Sequence, residues 1–149
     1  MPRSSLKLRR ATIHDADLLL EWRNDPQTKK GSHNINEIQR DEHISWLTKI
    51  IKNTNRRLLI AEYNGVPVGT IRVDHSDGGA HELSWTVAPN ARGKGLGKRM
   101  VALLANSIAE PIRAEVKAGN KASICIAEYA GMKYDREENG VLFYSRAVL

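Results

Sequence analysis

The sequence predicts an α/β (α+β) domain formed as one unit over residues 1–149. Three observations carry this. Strand-like and helix-like segments alternate along the chain instead of clustering. The length of 149 residues suits one domain around one hydrophobic core. Alternating glycines at 93, 95 and 97 separate a strand-like stretch from a helix-like one. That arrangement turns the free N–H groups of a helix start toward an anion.

The elements read off in order. Leu6–Arg10 alternates and predicts a short strand. Asp15 is expected to cap a helix over 15–24, with Leu18, Leu19 and Trp22 on its buried stripe. Pro26 turns Asn24-Asp25-Pro26 into an expected loop. Residues 36–53 predict a second helix, because Ile38, Ile44, Leu47 and Ile51 fall mainly at spacings of three and four. Strands are expected over 57–63 and 66–73, joined by an Asn64-Gly65 hairpin turn. Pro67 is tolerable at the start of the second. Asp77-Gly78-Gly79 marks the next turn. A strand over 80–88 follows, with His81, Leu83, Trp85 and Val87 on one face and Glu82, Ser84 and Thr86 on the other. After the glycine turn comes a helix over 96–109 with Leu96, Met100, Leu103 and Leu104 inward. A strand from Pro111 to Val116 leads to a helix over 120–130, capped by Asn120 and stopped at Gly131. Residues 133–148 read as two antiparallel strands around Glu138-Asn139-Gly140.

Bulk properties exclude several classes. At 41% hydrophobic and 27% charged, the chain belongs with folded proteins and not disordered tails. No apolar run approaches the roughly 18–20 residues of a membrane span, and residues 1–7 carry charge where a leader would be apolar. A cytoplasmic location is expected, with no membrane partner. The single cysteine, Cys125, reads as a small buried hydrophobe, and no metal site can be built around it. The net charge of +6 admits nucleic acid, an anionic membrane face or a polyanionic small ligand. Arg92, Lys94, Lys98 and Arg99 gather around the glycines, and phosphate is the natural partner of that cluster.

Two common phosphate loops do not fit. A Rossmann turn needs G-x-G-x-x-G after the first strand, and this one is G-x-G-x-G after several. A Walker A loop needs G-K-S/T, and here Gly97-Lys98 is followed by Arg99. The six residues Arg92-Gly93-Lys94-Gly95-Leu96-Gly97 instead resemble the Gln/Arg-x-x-Gly-x-Gly/Ala signature of the GNAT acetyltransferases. Val87-Ala88-Pro89 before it is similar to that family's lead-in. Asn120-x-x-Ser123 running to Gly131-Met132 resembles its second motif, N-x-x-A/S followed by G-F. The resemblance implies a mostly antiparallel mixed central sheet of about seven strands, splayed in the middle and flanked by about four helices. It implies acetyl-CoA as co-substrate in the splay, without a metal. It further implies that the backbone of Arg92, Gly93, Lys94, Gly95, Leu96 and Gly97 holds the pyrophosphate. Thr86 and Val87 would pair with pantetheine, and Asn120 and Ser123 would lie beside the same cofactor. For these last two, helix capping alone is an equal alternative.

Acetyl transfer needs a neutral amine, a stabilised thioester oxyanion and a proton for the leaving thiolate. Glu82 is the candidate base, ten residues before Arg92 where family members often carry a glutamate. A structural carboxylate paired with a neighbour such as Arg72 is the equal alternative. His75 and His81 read as loop histidines with a possible relay role. The family's tyrosine position is occupied by Ala127, so the thiolate's acid is not assigned, and Tyr129 is expected to pack in the core.

The first third is expected to build the acceptor side. Trp22-Arg23-Asn24 and Glu42-His43-x-x-Trp46, with the basic stretch Gln27–His33 between them, resemble bacterial GNATs that acetylate amino groups on nucleotide-linked sugars. They more loosely resemble ribosomal-protein acetyltransferases. Arg23 and Asn24 are candidate acceptor contacts. His43 is either a third contact or a solvated helix histidine, and both tryptophans are expected in the core. The reading is therefore an N-acetyltransferase acting on a primary amine of an amino sugar or sugar nucleotide. Its alternatives are a protein N-terminal or lysine acetyltransferase and, further off, a non-catalytic acyl-CoA-binding module. Nucleic acid is not an expected partner, and the protein is expected as a monomer or homodimer.

Overall fold

A computed structural model describes residues 5–31, 36–76 and 78–149. Asp77 of the expected turn, and Ser32 and His33 of the basic stretch, lie outside the described residues. Seven strands form one sheet in the order β1-β2-β3-β4-β5-β7-β6. They are β1 (Leu6–Arg10), β2 (Arg56–Tyr63), β3 (Val66–His75), β4 (His81–Val87), β5 (Ile112–Lys117), β6 (Lys133–Glu138) and β7 (Val141–Arg146). Every neighbouring pair is antiparallel except β4 and β5. The helices are α1 (Ala16–Asn24), α2 (Pro26–Gly31), α3 (Arg40–Lys52), α4 (Leu96–Ala105) and α5 (Lys121–Tyr129).

The sheet has two kinds of strand, and burial tells them apart. In β2, Leu58, Leu59, Ile60 and Ala61 are buried in succession. Four in a row means cover on both faces. In β5, Ile112, Ala114 and Val116 are buried while Arg113 and Glu115 are exposed. That alternation means cover on one face only. The second half of the sheet thus presents a polar face to solvent.

Local chemistry explains the turns. Asn64 and Gly65 both have positive φ, at 52° and 84°, and Asn139-Gly140 repeats this at 50° and 79°. Such pairs match the right-handed twist of the strands they join. Arg146 closes the far end of α4: its guanidinium donates to the carbonyls of Ala105, Ile108 and Glu110 at 2.6–2.8 Å. Ala105 ends α4, and its carbonyl also accepts from the Ile108 N–H at 3.1 Å.

Several expectations need correction. Asp15 stands at the N-cap position of α1, but its side chain makes no capping bond to that helix. Thr12 caps a 3-10 turn at Ile13–Asp15, and Asp15 returns the bond to the Thr12 N–H at 2.8 Å. The Asp15 carboxylate also takes the fork of Arg9 at 2.8 and 2.9 Å, tying β1 to the first turn. Asn24-Asp25-Pro26 is not a plain loop, because Pro26 starts α2. Proline at the first helical position forfeits an N–H that had no partner anyway. The second helix begins at Arg40, and Ile50 (3% exposed), not Ile51 (37%), lies on its buried side. In α4, Val101 is buried and Leu103 is 44% exposed.

Candidate active site

The glycine turn places its residues for two different jobs. Gly93 and Gly95 take φ of 77° and 76°, the left-handed region that a side chain disfavours. Gly95 is the N-cap of α4 and supplies no side-chain bond to it. The first N–H groups of a ten-residue helix are therefore left for an external acceptor. A Cβ on Gly93 or Gly95 would meet nothing within 4 Å, so the backbone lies open to a ligand. Gly97 differs. A Cβ there would stand 2.8 Å from both Ile126 and Val87, so this glycine lets α4 lie close against α5 and β4. Leu96 is buried, 5% exposed, and offers the site only its backbone.

The positive cluster divides as well. Arg92 does not aim its side chain at the open amides. Its guanidinium donates to Asp25 at 2.5 Å, to Thr28 Oγ1 at 3.0 Å and to Gln27 Oε1 at 3.2 Å. Arg99 sits over the ring of Tyr63, 5.4 Å from its centroid. Lys94 and Lys98 are exposed beside the turn.

β4 and β5 are joined through only two register pairs, His81 with Ile112 and Glu82 with Arg113. β4 continues to pair with β3 through Val87. Beyond Glu82 the two central strands part, and among the described residues no further β4–β5 register pair occurs. The result is a V-shaped opening whose far end, at Val87, leads into the glycine turn. Thr86 and Val87 lie along this arm, half-buried. Trp85 Nε1 donates to Ser123 Oγ across the opening at 3.2 Å. Asn120 caps α5 by accepting from the Ser123 N–H at 3.2 Å. Both polar residues of the second motif thus have structural partners at the mouth of the V.

Glu82 stands at the vertex, where the strands separate. Its side chain is half-buried, 3.5 Å from Arg113 and not paired with Arg72 as the alternative reading had it. Arg72 instead engages Asp74 at 3.1 Å. Burial, and then the nearby Glu115, push the Glu82 carboxyl above its ordinary value, while Arg113 pulls against them. A cleft of about 210 Å³ opens beside it on the polar face, lined among others by Arg113, Glu115, Asp135, Arg136 and Phe143.

Among the residues expected on the acceptor side, His43 is not a solvated helix histidine: it is fully buried. Its Nε2 lies 2.7 Å from the Ala16 carbonyl, which can only accept. The proton therefore sits on Nε2, and Nδ1 accepts from Arg23 at 3.0 Å. Burial holds the ring neutral by lowering its proton affinity, and Arg23 adds to this. Arg23 lies 4.1 Å over the Trp46 ring, and its proton affinity is lowered by burial and by Arg72. Among the described residues no carboxylate pairs with it. Asn24 is a brace, its amide donating to the Ile38 carbonyl at 2.9 Å and accepting from the Ile38 N–H at 2.8 Å. Trp22 is buried as expected, and Trp46 is half-buried against Arg23.

Two aromatic and thiol expectations fail. Tyr129 is 59% exposed and not in the core. Cys125 is exposed and not a buried hydrophobe. Both sit on the outer face of α5, whose inner face carries Ile126 and Ala127. Among the described residues no group of His, Cys, Asp and Glu could hold a metal ion, and no helix is long and apolar enough to cross a membrane.

A splayed mixed sheet, with a helix start at its mouth that no side chain caps, is the arrangement the sequence resemblance implies for an acyltransferase. The model of the acetyltransferase (GNAT) domain matches residues 5–133, and the chain belongs to that family of N-acetyltransferases. No curated protein sequence matches it. Solved structures share its fold across nearly the whole chain. An aminoglycoside acetyltransferase in complex with coenzyme A and kanamycin is 20% identical, with a TM-score of 0.80 over 96% of this chain and 95% of that one. Spermidine N-acetyltransferase from Vibrio cholerae, in complex with CoA and spermine, is 17% identical, with a TM-score of 0.83 over 95% and 94%. The ribosomal α-N-protein acetyltransferase RimL, in complex with coenzyme A, is 14% identical, with a TM-score of 0.83 over 96% and 94%.

Proposed function

We propose that the protein moves an acetyl group from acetyl-CoA to a primary amine on an amino sugar or sugar nucleotide. The observation that carries the reading is Glu82 at the vertex of the V, with a raised carboxyl and an open cleft beside it. Acetyl-CoA supplies an activated thioester. The chain's own part begins with the amides of residues 92–97, which face the pyrophosphate. The β4 backbone at Thr86 and Val87 faces the pantetheine arm, with Asn120 and Ser123 across from it. Glu82 would take a proton from the incoming ammonium, directly or through water, leaving a neutral amine to attack the thioester carbonyl; the C–S bond then breaks, and the second proton lost by the nitrogen balances the departing CoA thiolate. Its raised carboxyl is the better base near neutral pH.

The finer choice of acceptor rests on Arg23. A half-buried guanidinium, stacked on Trp46, steadied by neutral His43 and without a carboxylate partner among the described residues, suits a planar base and a phosphate on the acceptor. Glu115 and Asp135 beside Glu82 favour a second reading, a protein N-terminal or lysine amine, since acidic groups attract a cationic one. The relatives named for aminoglycosides, spermine and ribosomal protein span both classes. A cytoplasmic setting, where acetyl-CoA is drawn from solution, belongs to the same reading.

Thiol release from acetyl-CoA tests it, with glucosamine, a UDP-linked amino sugar, kanamycin, spermine and a short peptide as amines. Faster release with the amino sugar or its UDP form is expected. Release stimulated only by the peptide would replace the acceptor class, and no stimulation by any amine, with CoA still bound, would overturn the enzyme reading.

A further inference from the structure

We infer that Arg92 is a positioning residue that couples CoA binding at the glycine turn to the acceptor-side corner, through its contact with Asp25. The inference rests on the reading of residues 92–97 as the pyrophosphate site, and it departs from the expectation that the Arg92 side chain is a phosphate ligand.

The geometry is a strut between two functional segments. Arg92 immediately precedes Gly93, with Gly95 two residues further on, and the backbone of this turn carries the open amides. Its side chain leaves that site and forks into the start of α2, reaching Asp25, Gln27 and Thr28. Asp25 is also the cap of α2, accepting from the Thr28 N–H at 3.1 Å and from the Thr28 hydroxyl at 3.3 Å. Arg92 and Thr28 therefore share one carboxylate oxygen. The Asp25 carboxylate is held below its ordinary value, burial opposing but Arg92 and Thr28 prevailing. The two residues before Asp25 are Asn24, which braces Ile38, and Arg23, the acceptor-side guanidinium. The far end of α2 meets the other cofactor motif, since a Cβ on Gly31 would stand 2.9 Å from Asn120 Nδ2. α2 thus runs from the glycine turn to the cap of α5, and Arg92 fixes one end of it. An anion that draws the 93–97 backbone into one arrangement fixes the base of the strut, and the strut fixes α2.

Amide hydrogen exchange on residues 23–31 and 93–100, with and without CoA, reads this directly. In the wild-type chain CoA should slow exchange in both segments, by about fivefold or more at 23–31, the low end of ordinary site–site coupling. Arg92→Gln keeps the backbone amides of the turn, so at saturating CoA it should keep the slowing at 93–100 and lose the slowing at 23–31. Asp25→Asn is the independent arm. Asparagine caps a helix as well as aspartate, so it removes the ion pair without removing the cap, and it should give the same loss. Undiminished slowing at 23–31 in both variants would overturn the strut. So would an Arg92→Gln loss of CoA affinity of tenfold or more, which would make the side chain a phosphate ligand. Wild-type protein that binds CoA without slowing at 23–31 overturns the coupling alone, and wild-type protein that binds no CoA removes the pyrophosphate reading and the strut together.

Discussion

Nη1 of Arg23 lies 3.0 Å from Nδ1 of His43, and that histidine is buried with its other nitrogen on the Ala16 carbonyl. A neutral ring is therefore built into the site as an acceptor for a cation. His43 has a folded proton affinity lowered by burial, so its stabilising contribution is full above the unfolded value of 6.5 and is lost as pH falls below it. His43→Asn should cost about 1–3 kcal/mol through lost buried hydrogen bonds. It should also flatten the fall in melting temperature between neutral and mildly acidic buffer. Because Arg23 loses its anchor, KM for the accepted amine should rise while CoA affinity stays constant. Thermal melts across pH and initial rates check the two halves separately.

Glu82 carries the opposite sign. Its carboxyl is raised above 4.5, so the folded state holds that proton more tightly than the unfolded chain does. Its contribution to stability is present at low pH and is lost as pH rises through the folded value. Near neutral pH the ionised form is a burden, with Arg113 at 3.5 Å offsetting part of it. Glu82→Gln should therefore leave melting temperature unchanged or raise it near neutrality, with no gain in acid. The same change should lower kcat by about 100-fold, in the range of general-base loss. In the wild type, the acid limb of kcat/KM should have its midpoint above 4.5. A Gln variant that is fully active would remove Glu82 from the chemistry.

The parts legible in the sequence were those set by local pattern. Asn64-Gly65, the alternation in 81–87 and the glycines before α4 each dictate a conformation within a few residues. The side-chain geometry of the site was less legible, because its contacts cross long stretches of chain. Arg92 meets Asp25 across 67 positions, and Arg23 meets His43 across 20. A guanidinium beside glycines looks like a phosphate ligand until a distant carboxylate claims it. One signal was available. Asp25 followed by Pro26, with Thr28 three residues after the aspartate, is a helix start, and reading it as one exposes α2. Asn24 shows the same limit, since a polar side chain expected at an acceptor site can also satisfy a backbone, as it does at Ile38.

Gly95 and Gly97 should fail in opposite ways. Gly95→Val forces a branched side chain to φ near 76°, at about 1–3 kcal/mol. It also sets bulk where a ligand must approach, so CoA affinity should fall by about tenfold or more. Gly97→Ala places a methyl 2.8 Å from Ile126 and Val87, an overpacking cost of about 1–3 kcal/mol. Its CoA affinity, measured where the protein is folded, should change less than that of Gly95→Val. Calorimetric titration with CoA beside chemical denaturation separates the two. Equal losses of affinity in both would mean that the glycines act as one unit.

Ala127 is fully buried on the inner side of α5, with its carbonyl accepting from the Met132 N–H at 3.0 Å. A tyrosine, which the resemblance would put at this position as the acid, would have to displace the core that covers Ala127. Ala127→Tyr should cost stability by overpacking, about 1–3 kcal/mol or more, and should not raise the rate of acetyl transfer. Tyr129 cannot substitute. Two residues turn a helix by roughly 200°, and the side chain emerges on the outer face, 59% exposed. Tyr129→Phe should therefore leave kcat and its alkaline limb unchanged. If Tyr129→Phe instead slowed thiol release and shifted that limb, the outer face of α5 would have to reach the leaving group, and the assignment of the V as the reaction channel would have to be redrawn. If it does not, Tyr129 is out of the chemistry, and the thiolate takes its proton from water or from another residue.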